Sequence, residues 1–150
     1  MMSTRRIAFT QVALSAAGAV AAVILASFHY SVETTALLCT GAGGCETVNT
    51  SPYSTIGGMP IALIGLGAYV LIGVLAFLST RSSRLADAAP LAVFGLSFVG
   101  VLYSAYLTYL EFFVILAICP WCVASAIIIT AIWILSLLDR SRRVRVEADA

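Results

Sequence analysis

The sequence predicts an all-α fold, an integral membrane four-helix bundle with a long outer loop between helices 1 and 2. Hydrophobic residues make up 61% of the 150 residues and charged residues 10%, whereas soluble domains have about 25% charged residues. The hydrophobic residues are concentrated in four segments, each long enough to cross a hydrocarbon core of about 30 Å as a helix. This size allows a single membrane domain over residues 1–150, without a second, soluble domain.

The four apolar segments define the expected transmembrane helices, which are residues 7–28, 59–78, 88–113 and 118–138, followed by a tail over residues 139–150. The first apolar run is longer than the signal-peptide core of about 7–15 residues, so we expect it to remain as an uncleaved helix. Proline suits the first turn of a helix, as at Pro60 and Pro120. Small residues let membrane helices approach closely, and we interpret the glycines of the first three segments as packing positions: Gly18, Gly65, Gly67, Gly73, Gly95 and Gly100.

Charge patterning predicts the orientation in the membrane. The chain has no lysine, and its arginines form three clusters: Arg5 and Arg6; Arg81 and Arg84; Arg140, Arg142, Arg143 and Arg145. With four spans, all three clusters fall on one side, which the positive-inside rule makes cytoplasmic. The opposite side carries the 29–58 loop and the 111–117 turn, which contain neither arginine nor lysine. We therefore expect cytoplasmic termini and extracytoplasmic cysteines.

Four cysteines form two pairs on the outer side. Cys39 and Cys45 lie in a glycine-rich loop, and Cys119 and Cys122 form a C-x-x-C at the start of the fourth helix. A C-x-x-C can switch between dithiol and disulfide, and a second pair can pass electrons to it by thiol–disulfide exchange. The alternatives are two static disulfides or a four-cysteine metal site. Static bridges explain the C-x-x-C poorly, because so short a loop adds little restraint.

The two C-x-x-C thiols are expected to react with different partners. Cys119 lies at the helix N-terminus, where the dipole and free N–H groups favour a thiolate, and is expected to exchange with other thiols. Cys122 lies one turn deeper and is expected to face a membrane-soluble oxidant. The nearest acidic residue is Glu111, and its charge would oppose a Cys122 thiolate. We therefore expect Glu111 to face the headgroups and Glu111→Gln to leave activity within a few-fold of wild type.

The sequence limits which electron acceptor can be expected for the cysteines. The sequence has no G-x-G-x-x-G after a strand, so a bound NAD or FAD is not expected. The single histidine, His29, is interpreted as an interfacial packing residue. A lipid-soluble quinone, menaquinone or ubiquinone, remains as the expected electron acceptor. Trp121, Phe112, Phe113 and Tyr109 are candidates to line its pocket, although each could equally belong to the aromatic belt at the membrane interface.

Four motifs occur together in this sequence: the loop cysteine pair, Ser51-Pro52-Tyr53, Gly58-Met59-Pro60, and Cys119-Pro120-Trp121-Cys122 after a third membrane segment. In this combination they resemble the vitamin K epoxide reductase family, with the closest likeness to its bacterial members. The resemblance covers residues 7–138. It implies a thiol:quinone oxidoreductase in the bacterial inner (plasma) membrane that supports disulfide bond formation in exported proteins.

The resemblance also implies the direction of electron flow. A thioredoxin-like or DsbA-like partner, expected here to be a separate protein, hands electrons to the loop pair. We favour Cys45 as the residue that meets the partner and Cys39 as the one that attacks Cys119. The loop pair then reduces the Cys119–Cys122 disulfide, and Cys122 reduces the quinone.

The sequence departs from the family at the quinone-binding positions, and two other classes of protein are alternatives to this family. Matching the vertebrate quinone-binding Asn and Tyr onto this sequence gives Ser54 and Ala126, and an alanine side chain cannot donate a hydrogen bond. This favours plain quinone reduction over epoxide reduction. A DsbB-type quinone reductase has the two cysteine pairs in the reverse order along the chain. A non-enzymatic membrane scaffold with static disulfides would keep its C-x-x-C in one redox state.

Overall fold

Four long helices form the bundle in a computed structural model that describes residues 4–30, 44–81 and 84–148. They are α1 (Thr4–Tyr30), α3 (Ile61–Leu78), α4 (Arg84–Leu110) and α5 (Pro120–Ala148), with a short helix α2 (Gly44–Asn49) between α1 and α3. Each long helix contains a segment long and apolar enough to cross a membrane. The predicted all-α membrane bundle is therefore confirmed.

A small hairpin precedes α3. A 3-10 turn over Pro52–Ser54 leads into strand β1 (Thr55–Ile56), which pairs antiparallel with β2 (Met59–Pro60). The two residues between the strands, Gly57 and Gly58, have φ of 60° and 84°, the positive values that a tight hairpin turn requires and glycine adopts without strain. Helix α3 begins at residue 61 rather than 59, because Met59 and Pro60 belong to this hairpin.

The connection between α4 and α5 is short and irregular. A π-helical turn, Glu111–Ile115, extends α4. It ends at Leu116, whose left-handed backbone (φ 56°, ψ 33°) donates its N–H to the Glu111 carbonyl. The Ala117 N–H donates to the same carbonyl at 3.1 Å. Helix α5 begins at Pro120, two residues after the predicted start at 118, so that Cys119 directly precedes the helix and Pro120 lies in its first turn as expected.

Contacts between helices show that the arginine-bearing ends lie together. The Gln11 Nε2 donates a hydrogen bond to Ser136 Oγ at 2.9 Å, which joins the first third of α1 to the middle third of α5. The Arg140 guanidinium lies 5.5 Å from the centre of the Phe94 ring, in the first half of α4. The three arginine clusters therefore meet at one end of the bundle. Which side of the membrane that end faces remains a prediction.

The bundle is held by apolar packing around one central cluster. Its buried members come from all four long helices: Ala22, Tyr69, Ile72, Ala76, Val93, Ile129 and Ile132. Large apolar side chains on the outer faces are exposed, for example Val20, Leu91 and Ile127. Such a surface would be unfavourable in water, but it suits helices whose outer faces contact lipid.

Glycines allow the helices to approach at three positions. A Cβ atom at Gly18 would overlap the ring of Tyr69, and one at Gly73 would lie 2.7 Å from Ser15 Oγ. A Cβ at Gly100 would lie 2.8 Å from Ile129. The packing role predicted for the glycines therefore holds at these three positions. It does not hold at Gly65, Gly67 or Gly95, where an added Cβ would meet nothing within 4 Å in the described part of the chain.

The contrast between Gly18 and Gly67 predicts opposite effects of the same substitution. Gly18→Ala should destabilise the bundle by about 1–3 kcal/mol, as overpacking does, because the Tyr69 ring is held by its own hydrogen bonds to Ser125. Gly67→Ala should be neutral or stabilising by up to about 1 kcal/mol through helix propensity. Thermal unfolding in detergent, followed by circular dichroism, measures both. Equal unfolding midpoints for the two variants would contradict the packing role of Gly18.

Candidate functional site

The two cysteine-bearing segments meet at the end of the bundle opposite the arginines. Cys45 and Cys119 are 2% and 0% exposed and share one buried cluster with Leu25 of α1. The preceding residues touch as well, since a Cβ at Gly44 would overlap the backbone carbonyl of Ile118. Glycine at position 44 therefore lets α2 lie directly on the segment that enters α5, which brings Cys45 next to Cys119.

The cysteines differ in their bonding. Cys45 is disulfide-bonded, whereas Cys119 and Cys122 are free thiols. Cys39 lies outside the described residues, and so does the expectation that it attacks Cys119. Cys45, which was expected to meet a soluble partner, is instead buried in the cluster that contains Cys119. This position suits exchange with Cys119 better than access from outside.

The start of α5 stabilises a thiolate at Cys119. The pKa of Cys119 is lowered from its ordinary value, chiefly because the Cys122 thiol donates a hydrogen bond to its sulfur. The backbone N–H groups of Cys122 and Trp121 act in the same direction, whereas burial and the charge of Glu111 oppose it. A C-x-x-C at a helix N-terminus favours the thiolate in this way. The sequence-based expectation for Cys119 therefore agrees with the structure.

Glu111 lies beside both thiols, and the expectation that it faces the headgroups is wrong. Its side chain is 2% exposed. Its Oε2 accepts a hydrogen bond from the Cys119 backbone N–H at 3.1 Å, and its carboxyl group is hydrogen-bonded to the Cys122 thiol. The physical reason is that a buried N–H must find an acceptor. The π-helical turn aims the Glu111 side chain at the Cys119 N–H.

An apolar cavity opens beside Cys122. Its volume is about 420 Å³, within the range of ligand pockets of roughly 300–1,000 Å³. Helices α3, α4 and α5 form its walls, and α2 with the following loop covers it. Cys122 and Glu111 both line it. Cys119 is not part of its lining, so only one thiol of the C-x-x-C faces the cavity.

Few polar groups line this cavity. The Tyr69 hydroxyl donates to the Ser125 carbonyl oxygen at 2.9 Å and forms a second hydrogen bond, also at 2.9 Å, with the Ser125 hydroxyl. Ser54, the residue matched to the vertebrate Asn, donates to the Ser51 carbonyl at 2.8 Å. The buried Asn49 Nδ2 has no hydrogen-bond partner among the described residues. The sequence pattern does not single out Asn49 or Tyr69, because neither belongs to a cysteine motif. Only the fold places them on the cavity wall.

The four aromatic candidates for the quinone pocket lie outside the cavity beside Cys122. Tyr109, Phe112 and Phe113 are 55%, 50% and 71% exposed on the outer face of the bundle. Trp121 packs against the cluster of Cys45 and Cys119. None of the four lines the Cys122 cavity. The physical reason is that the inward position on this turn is taken by Glu111, so its aromatic neighbours point outward, as in an interfacial belt.

A second, more open groove lies on another face of the bundle and contains Ala126. Phe112 and Ala126 line this groove on the opposite face of α5. Ala126, the residue matched to the vertebrate Tyr, therefore does not reach the cavity beside Cys122 in this chain.

Comparison with known families agrees with this arrangement. The model of the Vitamin K epoxide reductase family matches residues 9–137, nearly the whole chain. The matched region contains all four membrane spans in part or in full, together with the C-x-x-C and its cavity. On this match the chain belongs to the vitamin K epoxide reductase family, a family of membrane oxidoreductases.

Proposed function

We propose that this protein is a thiol:quinone oxidoreductase of the bacterial inner membrane. Electrons pass from a separate thioredoxin-like or DsbA-like partner through Cys39 and Cys45 to the C-x-x-C, and from there to a quinone. This reaction supports disulfide bond formation in exported proteins. The observation that carries the proposal is the position of the free Cys122 thiol on the wall of an apolar cavity, with Cys45 packed beside Cys119.

The cavity residues fit a quinone. Apolar side chains such as Leu96, Val99 and Ile129 line most of the wall, which suits an apolar ring and tail. Asn49 offers an unpaired Nδ2 donor, and a quinone carbonyl oxygen is an acceptor that would pair with it. A bound quinone supplies an acceptor of two electrons and two protons. These features accommodate menaquinone and ubiquinone alike.

The cysteines act in sequence. A loop thiolate attacks Cys119 in the Cys119–Cys122 disulfide, so that a mixed disulfide forms and Cys122 leaves as a thiolate, which then takes up a proton to become the thiol. The second loop cysteine attacks the mixed disulfide, closes the loop bridge and releases Cys119. Both C-x-x-C thiols are then free and the loop cysteine is bridged, the combination in which Cys45, Cys119 and Cys122 are found.

Cys45 is the better candidate for the attack on Cys119. It belongs to the same buried cluster as Cys119, and Gly44 touches the segment directly before Cys119. We therefore reverse the order that the resemblance favoured. We propose that Cys45 attacks Cys119 and that Cys39 exchanges electrons with the soluble partner.

Trapping experiments test this order. In Cys39→Ala, Cys45 lacks its resolving thiol, so a Cys45–Cys119 mixed disulfide should accumulate. Peptide mapping by mass spectrometry under non-reducing conditions measures it. In Cys45→Ala, the corresponding Cys39–Cys119 species should be rare, and its accumulation as the dominant form would support the opposite order.

Quinone reduction in detergent tests the proposed function itself. With a small dithiol that bypasses the loop pair, the wild-type protein should reduce a soluble quinone analogue, followed by the loss of quinone absorbance. Cys119→Ala and Cys122→Ala should abolish this reduction, because both sulfurs are needed to release two electrons. The double variant Cys39→Ala, Cys45→Ala serves as the control and should retain it. A Cys122→Ala variant at the wild-type rate would contradict the proposal.

The proposed orientation has its own test. In a cysteine-free background, Met59→Cys lies on the hairpin at the cysteine end of the bundle, and Val144→Cys lies on α5 at the arginine end. Both positions are exposed. An impermeant maleimide applied to intact bacterial cells should label position 59 and should reach position 144 only after lysis, because the positive-inside rule places the arginine end in the cytoplasm. The reverse pattern would invert the topology.

A further inference from the structure

We propose that Glu111 is a catalytic residue that carries a proton. Its carboxylate accepts the proton that the Cys122 thiol loses on oxidation and returns it to the quinone oxygen in the cavity. This inference rests on the proposed function and assigns a role to a residue that neither the cysteine motifs nor the family match singles out.

The position of Glu111 connects the two reactants. Its carboxyl group lies within hydrogen-bond reach of the Cys122 thiol, whose single S–H can donate either to Glu111 or to the Cys119 sulfur. The same residue lines the apolar cavity. One carboxylate oxygen, Oε2, is held by the Cys119 N–H at 3.1 Å. A carboxylate accepts several hydrogen bonds at once, so this anchor leaves capacity to receive the thiol proton. The Glu111 side chain is thus held between the Cys122 sulfur and the cavity in which the acceptor would bind.

The other cavity residues are poorer proton carriers. Glu111 is the only carboxylate among the described residues that line the cavity, and this part of the lining contains neither histidine nor a basic side chain. The remaining ionisable groups are tyrosine hydroxyls, which ordinarily hold their proton to a pH near 10. One of them, Tyr69, already bonds to Ser125. A carboxylate is therefore the group on this wall best suited to exchange a proton with a thiol.

Anchoring Cys119 does not by itself require a carboxylate. A glutamine side chain has the same shape and offers a carbonyl oxygen that could accept the Cys119 N–H equally well. Burying an ionisable carboxyl group in an apolar environment is costly, and the arginines that could offset its charge lie at the opposite end of the bundle. What a carboxyl group has and an amide lacks is the ability to gain and lose a proton.

The proposed step balances in atoms and electrons. The reduced pair consists of the Cys119 thiolate and the Cys122 thiol. As the sulfur–sulfur bond forms, two electrons leave for the quinone, and Glu111 takes the Cys122 proton and delivers it to one quinone oxygen. The second proton that the quinol requires comes from water at the outer surface. It compensates for the proton that Cys119 lost to water when it became a thiolate. The products are the Cys119–Cys122 disulfide and a quinol.

The experiment compares Glu111→Gln with a matched control, Asp139→Asn. Asp139 is also a buried carboxylate, 7% exposed, but it lies at the arginine end and pairs with Arg143 at 2.9 Å. Each protein is assayed for dithiol-driven quinone reduction. Thiol–disulfide exchange between a reduced loop pair and the oxidised C-x-x-C is measured without quinone. Infrared difference spectra of the quinone-free protein, oxidised minus reduced, record the carboxyl bands.

Three results together are expected. Glu111→Gln should lower the rate of quinone reduction by roughly a hundredfold or more, as loss of a general acid–base group does, while Asp139→Asn stays within about threefold. Exchange between the cysteine pairs should stay within a few-fold of wild type in Glu111→Gln. The wild-type infrared spectrum should contain a carboxyl band that changes on oxidation and is missing in Glu111→Gln, because the Cys122 proton exists only in the reduced form.

Each of the opposite results would overturn the inference. Quinone reduction by Glu111→Gln within about threefold of wild type would exclude a proton-carrying role. An equal loss of quinone reduction and of cysteine exchange would indicate that Glu111 only positions Cys119. A carboxyl spectrum insensitive to oxidation would show that Glu111 does not share the Cys122 proton. Absence of quinone reduction in the wild type would instead contradict the proposed function, and the infrared result would still test the contact.

Discussion

The hydrogen bond from the Cys119 N–H to Glu111 Oε2, at 3.1 Å, organises the reactive end of this bundle. It joins the end of α4 to the start of α5 across an irregular turn, where Cys119 would otherwise leave a buried N–H without an acceptor. Because Pro120 begins α5 directly afterwards, the same bond sets the direction in which the first turn of α5 presents Cys122. The relative positions of the Glu111 carboxyl group, the two sulfurs and the adjoining cavity wall therefore depend on this hydrogen bond.

The lipid environment explains why polar groups are so concentrated. A helix surrounded by hydrocarbon satisfies its own backbone, so the outer faces can be wholly apolar. Polar side chains are stable where they find partners inside the bundle, as Gln11 does with Ser136 and Tyr69 with Ser125. Three buried polar atoms have no hydrogen-bond partner among the described residues, namely Asn49 Nδ2, Trp133 Nε1 and Asp139 Oδ1. Of these three residues, Asn49 is the one that lines the cavity. Its position on the cavity wall is consistent with pairing to a bound molecule.

The two thiols of the C-x-x-C differ although they are only three residues apart. Cys119 is fully buried against Cys45 and receives the Cys122 hydrogen bond, which lowers its pKa. Cys122 faces the cavity and contacts Glu111. One turn of helix therefore separates a sulfur suited to exchange with the loop from a sulfur suited to an acceptor in the membrane. Gly44 contributes to this separation, since a larger residue would push α2 away from Ile118.

The sequence by itself determined the properties that depend on length, composition and local spacing. Apolar run length predicted the four helices, Pro120 predicted where α5 begins, and the C-x-x-C at that point predicted a stabilised Cys119 thiolate. The tertiary structure alone decided which way side chains point at the α4–α5 turn. A sequence rule directs an isolated glutamate to the surface and its aromatic neighbours Phe112 and Phe113 inward, but the opposite occurs. The reason is that a buried N–H eight residues later needs an acceptor, and only the folded chain brings Cys119 to Glu111.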